Sequence, residues 1–319
     1  MNYINIRQLN EDILNNIYKI PKDIDLIVGI PRSGMIVASL ISVYMNKPLT
    51  DIESFLERKF YESGSTKNTT DCVKEFSEVK KVIVVDDSIA SGKSIEKVKK
   101  EIEKSELDIK VIYLVPYVVQ ESRNKCDIFF KVVDLPRRFE WNLFHHIDLE
   151  KACVDIDGVL CQDPMKKEND DGKKYEHFIK NAKIKYIPSR KIGYVVTSRL
   201  EKYRKLTEEW LKNNNIQYGK LIMMDVPTAE ERRRLGNHGK FKGRIYKKLK
   251  DSTLFIESEI DQAKEIRNIS GKNVICVDNN GINCIDNSFK NKLVNRIKRI
   301  LKRCLSEKKI NKLKRIMGK

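Results

Sequence analysis

No apolar run in this chain approaches the ~18 residues needed to cross a bilayer, so no membrane span is expected. Met1-Asn2-Tyr3-Ile4-Asn5 has no basic start leading into an apolar stretch, so no secretory signal is expected either. The seven cysteines are scattered, odd in number and without a C-x-x-C pair. They read as reduced thiols in a cytoplasmic protein, with no disulfide framework and no zinc site.

What is abundant is positive charge. A formal net charge of +18 favours an anionic partner: a phosphorylated substrate, nucleic acid or a membrane surface. At 319 residues and 40% hydrophobic content, the chain is long enough for two domains with a core each.

The first half is organised around Lys81-Val82-Ile83-Val84-Val85-Asp86-Asp87, followed by Ser88-Ile89-Ala90-Ser91-Gly92-Lys93-Ser94 and a charged helical segment, Ile95 to Lys104. A β-branched run ending in two carboxylates, then small residues, then a helix, reads as strand, loop and helix N-terminus. Loop N–H groups and the positive end of the helix dipole suit a phosphate. The two aspartates suit sugar hydroxyls, which donate to carboxylates. A Walker A loop is the rival reading of Ser91-Gly92-Lys93-Ser94, but that motif needs glycine where Asp87 stands.

This stretch resembles the phosphoribosyl-pyrophosphate (PRPP) loop of type I phosphoribosyltransferases. The resemblance implies that Asp86 and Asp87 bind the ribose 2- and 3-hydroxyls and that Ser88, Ala90, Ser91, Gly92, Lys93 and Ser94 wrap the 5-phosphate. Upstream, Asp25-Leu26-Ile27-Val28-Gly29-Ile30 is a buried-strand candidate and Pro31-Arg32-Ser33-Gly34 a tight turn before an apolar helix, Met35 to Tyr44. In the same family the matching loop binds pyrophosphate, which assigns Arg32, Ser33 and Gly34. Arg58 and Lys59 precede a polar stretch, Ser63 to Thr70, that contains Lys67 and reads either as a surface hairpin or as the family's closing loop, in which case the three cations would neutralise the leaving pyrophosphate. Residues 1–24 read as a short helix. Strand candidates at Val111–Tyr117 and Ile128–Val133 complete an alternating pattern, hence a doubly wound parallel sheet. The boundary is placed near Leu135–Asn142, and Trp141, Phe144, His145 and His146 are read as packing between domains.

Ala152-Cys153-Val154-Asp155-Ile156-Asp157-Gly158-Val159 is a second apolar strand ending in acids. It is similar to the Asp-x-Asp-Gly-Val signature of the haloacid dehalogenase (HAD) superfamily. Tyr194-Val195-Val196-Thr197-Ser198, Lys242 and Leu254-Phe255-Ile256-Glu257-Ser258-Glu259 follow in that family's order. The resemblance implies Asp155 as nucleophile, Asp157 as general acid and then base, Thr197 on a phosphoryl oxygen, and Lys242 against the transition-state charge. It implies Mg²⁺ held by Asp155, the carbonyl of Asp157 and Glu257, with Glu259 as a further or rival ligand and Lys240 as a rival to Lys242. About 40 residues separate Asp157 from Thr197, which leaves room for only a small cap. The segment Glu201 to Lys212 reads as a packing helix carrying Trp210 and Leu211.

The expected architecture is α/β with two doubly wound domains. A type I phosphoribosyltransferase fold occupies 1–140 and a HAD-like Rossmannoid fold with a small cap 141–288. Residues 289–319 form a basic amphipathic helix in which Glu307 is the only acid. That helix reads as a docking element or as a contact with an anionic membrane surface, while nucleic acid is disfavoured because Phe289 is its only stacking aromatic. The pairing resembles the transferase–phosphatase systems that add ribofuranose to bacterial surface polysaccharides. It implies PRPP as donor, a glycan or lipid-linked glycan as acceptor, and work at the cytoplasmic face of the membrane. The alternatives are a nucleobase phosphoribosyltransferase joined to a 5′-nucleotidase-like phosphatase, and a PRPP-binding regulatory protein.

Overall fold

The computed structural model describes residues 1–61, 72–168, 171–235, 238–278 and 281–285. The closing-loop candidate with Lys67, and the basic segment 289–319, lie outside these residues. The chain divides into two compact units, Met1–Leu143 and Phe144–Lys319, so the division falls slightly past the expected boundary. Among the described residues no helix is long and apolar enough to cross a membrane.

The first unit contains strands β1 (Asn2–Ile4), β2 (Leu26–Gly29), β3 (Leu49–Asp51), β4 (Lys81–Val85), β5 (Ser88–Ile89), β6 (Lys110–Val118), β7 (Ile128–Val132) and β8 (Arg137–Phe139). Its helices are α1 (Ile6–Asn16), α2 (Gly34–Met45), α3 (Ile52–Leu56) and α4 (Lys93–Lys104). The main sheet runs β3-β2-β4-β6-β5, with β7 also on β6, and every pairing is parallel. Side chains alternate across it. Ile27, Ile83 and Val85 face a core with Leu9, Ile13, Val37 and Ile41, while Leu26, Val28, Val82 and Val84 face one with Phe55, Val98 and Ile102. A sheet covered on both faces explains why β2 and β4 are continuous apolar runs.

The N-terminus corrects one expectation. It opens as a strand, not a helix: β1 pairs parallel with β8, Asn2 opposite Arg137. Asn5 stops α1 from extending backwards, because its backbone is extended and its Oδ1 accepts the Gln8 N–H at 2.7 Å.

The second unit has β9 (Ala152–Val154), β10 (Ile192–Leu200), β11 (Tyr218–Met224), β12 (Leu254–Glu257), β13 (Asn273–Asp278) and β14 (Gly281–Ile285). Its helices are α5 (Lys173–Asn181), α6 (Arg204–Asn213), α7 (Ala229–Leu235), α8 (His238–Lys248) and α9 (Ile260–Ser270). The order is β11-β10-β9-β12-β13-β14, parallel except for the last pair. Between Asp157 and β10 the described chain holds one helix, α5. Trp210 and Leu211 are buried on α6, as their packing role requires.

In each unit the strand order reverses once. The chain leaves β2 for β3 on one side and returns to β4 on the other; likewise it leaves β9 for β10 and β11, then returns to β12. Successive crossovers leave in opposite directions there, opening a crevice at the strands' carboxyl ends. In the first unit the crevice walls are close. A Cβ on Gly34 would lie 2.6 Å from the Val85 carbonyl oxygen and 3.0 Å from Asp86 Cα. Gly34→Ala should therefore cost about 1–3 kcal/mol. Urea unfolding should show a lower midpoint at unchanged slope; an unchanged midpoint would mean that α2 can retreat freely.

Candidate functional sites

The loops after β2 and β4 meet in the first unit. The Ile30 N–H donates to the Val85 carbonyl at 2.9 Å, which ties the turn carrying Arg32, Ser33 and Gly34 to the strand that ends in Asp86 and Asp87. Both aspartates are buried. Asp86 Oδ1 accepts the Asp87 N–H at 2.9 Å, and Asp87 Oδ2 accepts the indole N–H of Trp141 at 2.7 Å. The Ser33 hydroxyl also bonds Asp87, and Arg137 lies near enough to favour its charge. Burial, then the adjacent Asp87, pushes Asp86 up to about 7. Burial likewise pushes Asp87 up, against the pull of Trp141, Ser33 and Arg137. Two close buried carboxyls do not both ionise readily, and hydroxyl donors from a sugar would relieve both.

The rest of the loop is held from behind. Ser88 and Ile89 form the short strand β5 on β6, the Ala90 carbonyl accepts from Ser122 Oγ at 2.7 Å, and the Ser91 carbonyl accepts from Lys125 Nζ at 2.7 Å. Gly92 takes φ +82° and caps α4, a conformation that suits glycine. Lys93 and Ser94 begin α4 with their N–H groups outside the helix ladder. Arg32 is exposed, with Nη2 3.4 Å from Asn142 Oδ1. Arg58 and Lys59 are exposed after α3, and Lys59 pairs with Glu57 at 2.9 Å. The structure thus brings together the turn at Arg32–Gly34 and the loop from Asp86 to Ser94, and no hydrogen bond joins Arg58 or Lys59 to either among the described residues.

The second unit's crevice is a cavity of about 300 Å³. Lys242, expected in a loose basic segment, stands on α8 and is buried. Its ammonium donates to Asp155 Oδ2 at 2.6 Å, Glu257 Oε2 at 2.8 Å and Gln262 Oε1 at 3.0 Å. Lys240 is exposed. Glu257 is fully buried and its Oε1 accepts the Ser258 N–H at 3.0 Å, whereas Glu259 stands at the exposed rim of the cavity. Thr197 lines the cavity at the end of β10. Burial and the charges of Glu257 and Asp157 push the Asp155 carboxyl up, while Lys242 opposes them.

Asp157, expected as general acid and then base, has a cation beside it. Its carboxylate faces Arg199, with Nη2 2.6 Å from Oδ1, and Arg199 is 1% exposed. Although burial opposes it, the guanidinium holds the carboxyl below its usual range. The guanidinium thus favours the proton-accepting form of the carboxyl. Arg199 was missed in the sequence. The one signal was a charged residue at the end of an otherwise apolar strand. His145 and His146 hold structure within the second unit: His145 Nδ1 lies 2.9 Å from Ser189 Oγ, and His146 Nδ1 accepts the Asp148 N–H at 3.2 Å. Trp141, expected between domains, belongs to the first unit and serves Asp87.

Among the described residues no three His, Cys, Asp or Glu side chains form a ready metal cage. The donor set nevertheless fits Mg²⁺. Asp155, Asp157, Asp163, Glu257 and Glu259 outnumber the cations around the cavity, and Asp155, Glu257 and the Asp157 carbonyl are hard oxygen donors. That carbonyl accepts from Ser258 Oγ at 3.1 Å.

Residues 2–146 match the phosphoribosyl transferase domain family, so this part of the chain is a phosphoribosyltransferase-type domain. A xanthine-guanine-hypoxanthine phosphoribosyltransferase from Helicobacter pylori is similar at 18% identity, covering 44% of this chain and 92% of its own, with a TM-score of 0.33. A purine phosphoribosyltransferase from Pyrococcus horikoshii is similar at 20% identity, covering 46% and 96%, with a TM-score of 0.34. No curated protein sequence matches the chain.

Two outcomes follow. An unfolded aspartate loses its proton near 3.8 and folded Asp86 near about 7. Between those values the folded state binds more protons, so stability falls as pH rises. Asp86→Asn should gain melting temperature over the wild type steadily across that window and level off above it. A pH-independent difference would show Asp86 ionised throughout. Lys242→Met should leave Asp155 and Glu257 without their shared ammonium and cost about 3–5 kcal/mol in urea unfolding at pH 8.

Proposed function

We propose that the chain transfers a 5-phosphoribosyl group from PRPP to an acceptor in its first unit and hydrolyses the 5-phosphate in its second. What carries the two-activity reading is the buried Asp155–Lys242–Glu257 cluster, present in the same chain as a phosphoribosyltransferase-type domain. In the first unit Asp86 and Asp87 accept from the ribose hydroxyls, the loop and the α4 N-terminus hold the 5-phosphate, and Arg32 to Gly34 hold the leaving pyrophosphate. Arg58 and Lys59 stand on the segment that would close over it.

In the second unit Asp155 attacks phosphorus and forms an aspartyl phosphate as the bond to the ribosyl 5-oxygen breaks, Asp157 giving that oxygen a proton and Thr197 and Lys242 lying against the phosphoryl oxygens. Asp157, its ionised form favoured by Arg199, then accepts the proton of the attacking water, which displaces Asp155 and releases phosphate. Mg²⁺ between Asp155, Glu257 and the Asp157 carbonyl would offset the charge of the phosphoryl group.

The acceptor we favour is a sugar hydroxyl of a surface glycan. The sequence of 289–319 supports this, since a basic amphipathic helix would bring the enzyme to the inner membrane face. One observation favours the nucleobase reading. Trp141 stacks on Phe139 at 4.9 Å while its indole N–H reaches Asp87, which puts an aromatic ring beside the ribose site.

Asp155→Asn protein, given PRPP and Mg²⁺, should still release pyrophosphate while phosphate release falls roughly 10⁴-fold or more. Mass spectrometry should then find a glycan carrying ribose phosphate that wild-type protein converts to ribose. A nucleotide formed from a panel of nucleobases would move the activity to base metabolism. Loss of both releases would defeat the model of two independent sites, and PRPP bound but unconsumed by wild type would favour a regulatory protein.

A further inference from the structure

Among the described residues, one buried cation in the second unit has no carboxylate partner. Lys242 has Asp155 and Glu257, and Arg199 has Asp157. Arg232, on α7, is 5% exposed and lines the same cavity as Asp155, Thr197 and Lys242. Its Nη1 donates to the Ser198 carbonyl at 3.0 Å, and the Tyr175 hydroxyl bonds it. No ion pair to Arg232 exists among the described residues, and its Nε–H has no hydrogen-bond partner. Ser198 Oγ, on a side chain 8% exposed and lining the same cavity, is likewise without a partner.

A desolvated guanidinium without a counter-ion is costly, and so is a buried hydroxyl with nothing to bond. A single ligand relieves both if it carries negative charge and several acceptor oxygens. The planar fork of arginine matches a phosphoryl group in that way. His238, which also lines the cavity, is pushed down to about 4 by burial and by Arg232 and Lys242, so it is neutral near pH 7 and adds no competing charge.

We propose that the Arg232 guanidinium, joined by the Ser198 hydroxyl as that side chain turns toward the ligand, forms the oxyanion-binding edge of this cavity and takes the non-bridging oxygens of a phosphomonoester. This rests on the phosphatase reading of the second unit and names a substrate contact within it. Arg232 then completes a cradle with Thr197 and Lys242, while the carboxylates around Asp155 face the metal. The cavity has one edge for the anion and one for the cation.

The test joins kinetics with a site-resolved probe on the full chain. Arg232→Gln should raise the KM for phenyl phosphate by about 10–100-fold, more than it lowers kcat. Arg232→Lys should recover part of that, and Ser198→Ala should show a smaller rise. Crystals soaked in tungstate should give an anomalous peak within hydrogen-bond distance of the Arg232 guanidinium and beside Ser198, and no such peak in Arg232→Gln. A merely structural Arg232 would lower the melting temperature and kcat without moving KM, which overturns the proposal. A tungstate peak elsewhere in a wild-type protein that still hydrolyses phenyl phosphate also overturns it and leaves the phosphatase reading standing. Tungstate on Arg232 in a wild-type protein without hydrolysis does the reverse. Should Arg232→Gln fail to fold, Ser198→Ala and the wild-type tungstate position decide.

Discussion

A parallel strand covered on both faces has room for polar groups only where it ends. β2, β4, β9 and β12 are such strands, buried along their length apart from half-buried Lys81 at the start of β4. Each unit also reverses its strand order once, between β2 and β4 and between β9 and β12. The reversal spreads the crossovers apart at one sheet edge and leaves it open. The acids of both units and the Arg32 turn depend on that geometry. Asp86, Asp87 and Arg32 follow β4 and β2; Asp155 and Asp157 follow β9, and Glu257 ends β12.

The two crevices compensate their acids differently, and the difference separates their chemistries. Asp86 and Asp87 have hydrogen bonds from an indole, a hydroxyl and a backbone N–H, but no ammonium within bonding distance among the described residues. Such a pair is satisfied by neutral hydroxyl donors. Asp155 and Glu257 share an ammonium, and the acids around them still exceed the cations. That excess of acid would suit a divalent cation together with an anion, as the proposed phosphatase activity requires.

Arg199 and Asp157 form an ion pair whose guanidinium is buried while the carboxylate is half-buried. The spacing of Asp157 two residues after Asp155 suggests an acid-then-base role. A guanidinium placed against it by β10 favours the ionised form. The pairing spans more than forty positions of chain, and its strength comes from burial, which leaves the charges little else to interact with.

Much of this was legible in the sequence because it is local. Apolar runs ending in Asp86-Asp87, Asp155-x-Asp157 and Glu257 marked the strand ends. Small residues at Arg32–Gly34 and Ala90–Ser94 marked the turns. Period-two burial in β2 and β4 is a direct consequence of the pleat. What depended on partners distant in the chain was decided only by the tertiary structure: Lys242 rather than Lys240 reaching Asp155, Glu257 rather than Glu259 buried beside it, Trp141 on Asp87, Arg199 on Asp157, and β1 pairing with β8. A residue type and its spacing determine what chemistry a side chain can do. Which groups neutralise it, and how much water is left around it, follow from packing between elements that the chain brings together only when it folds.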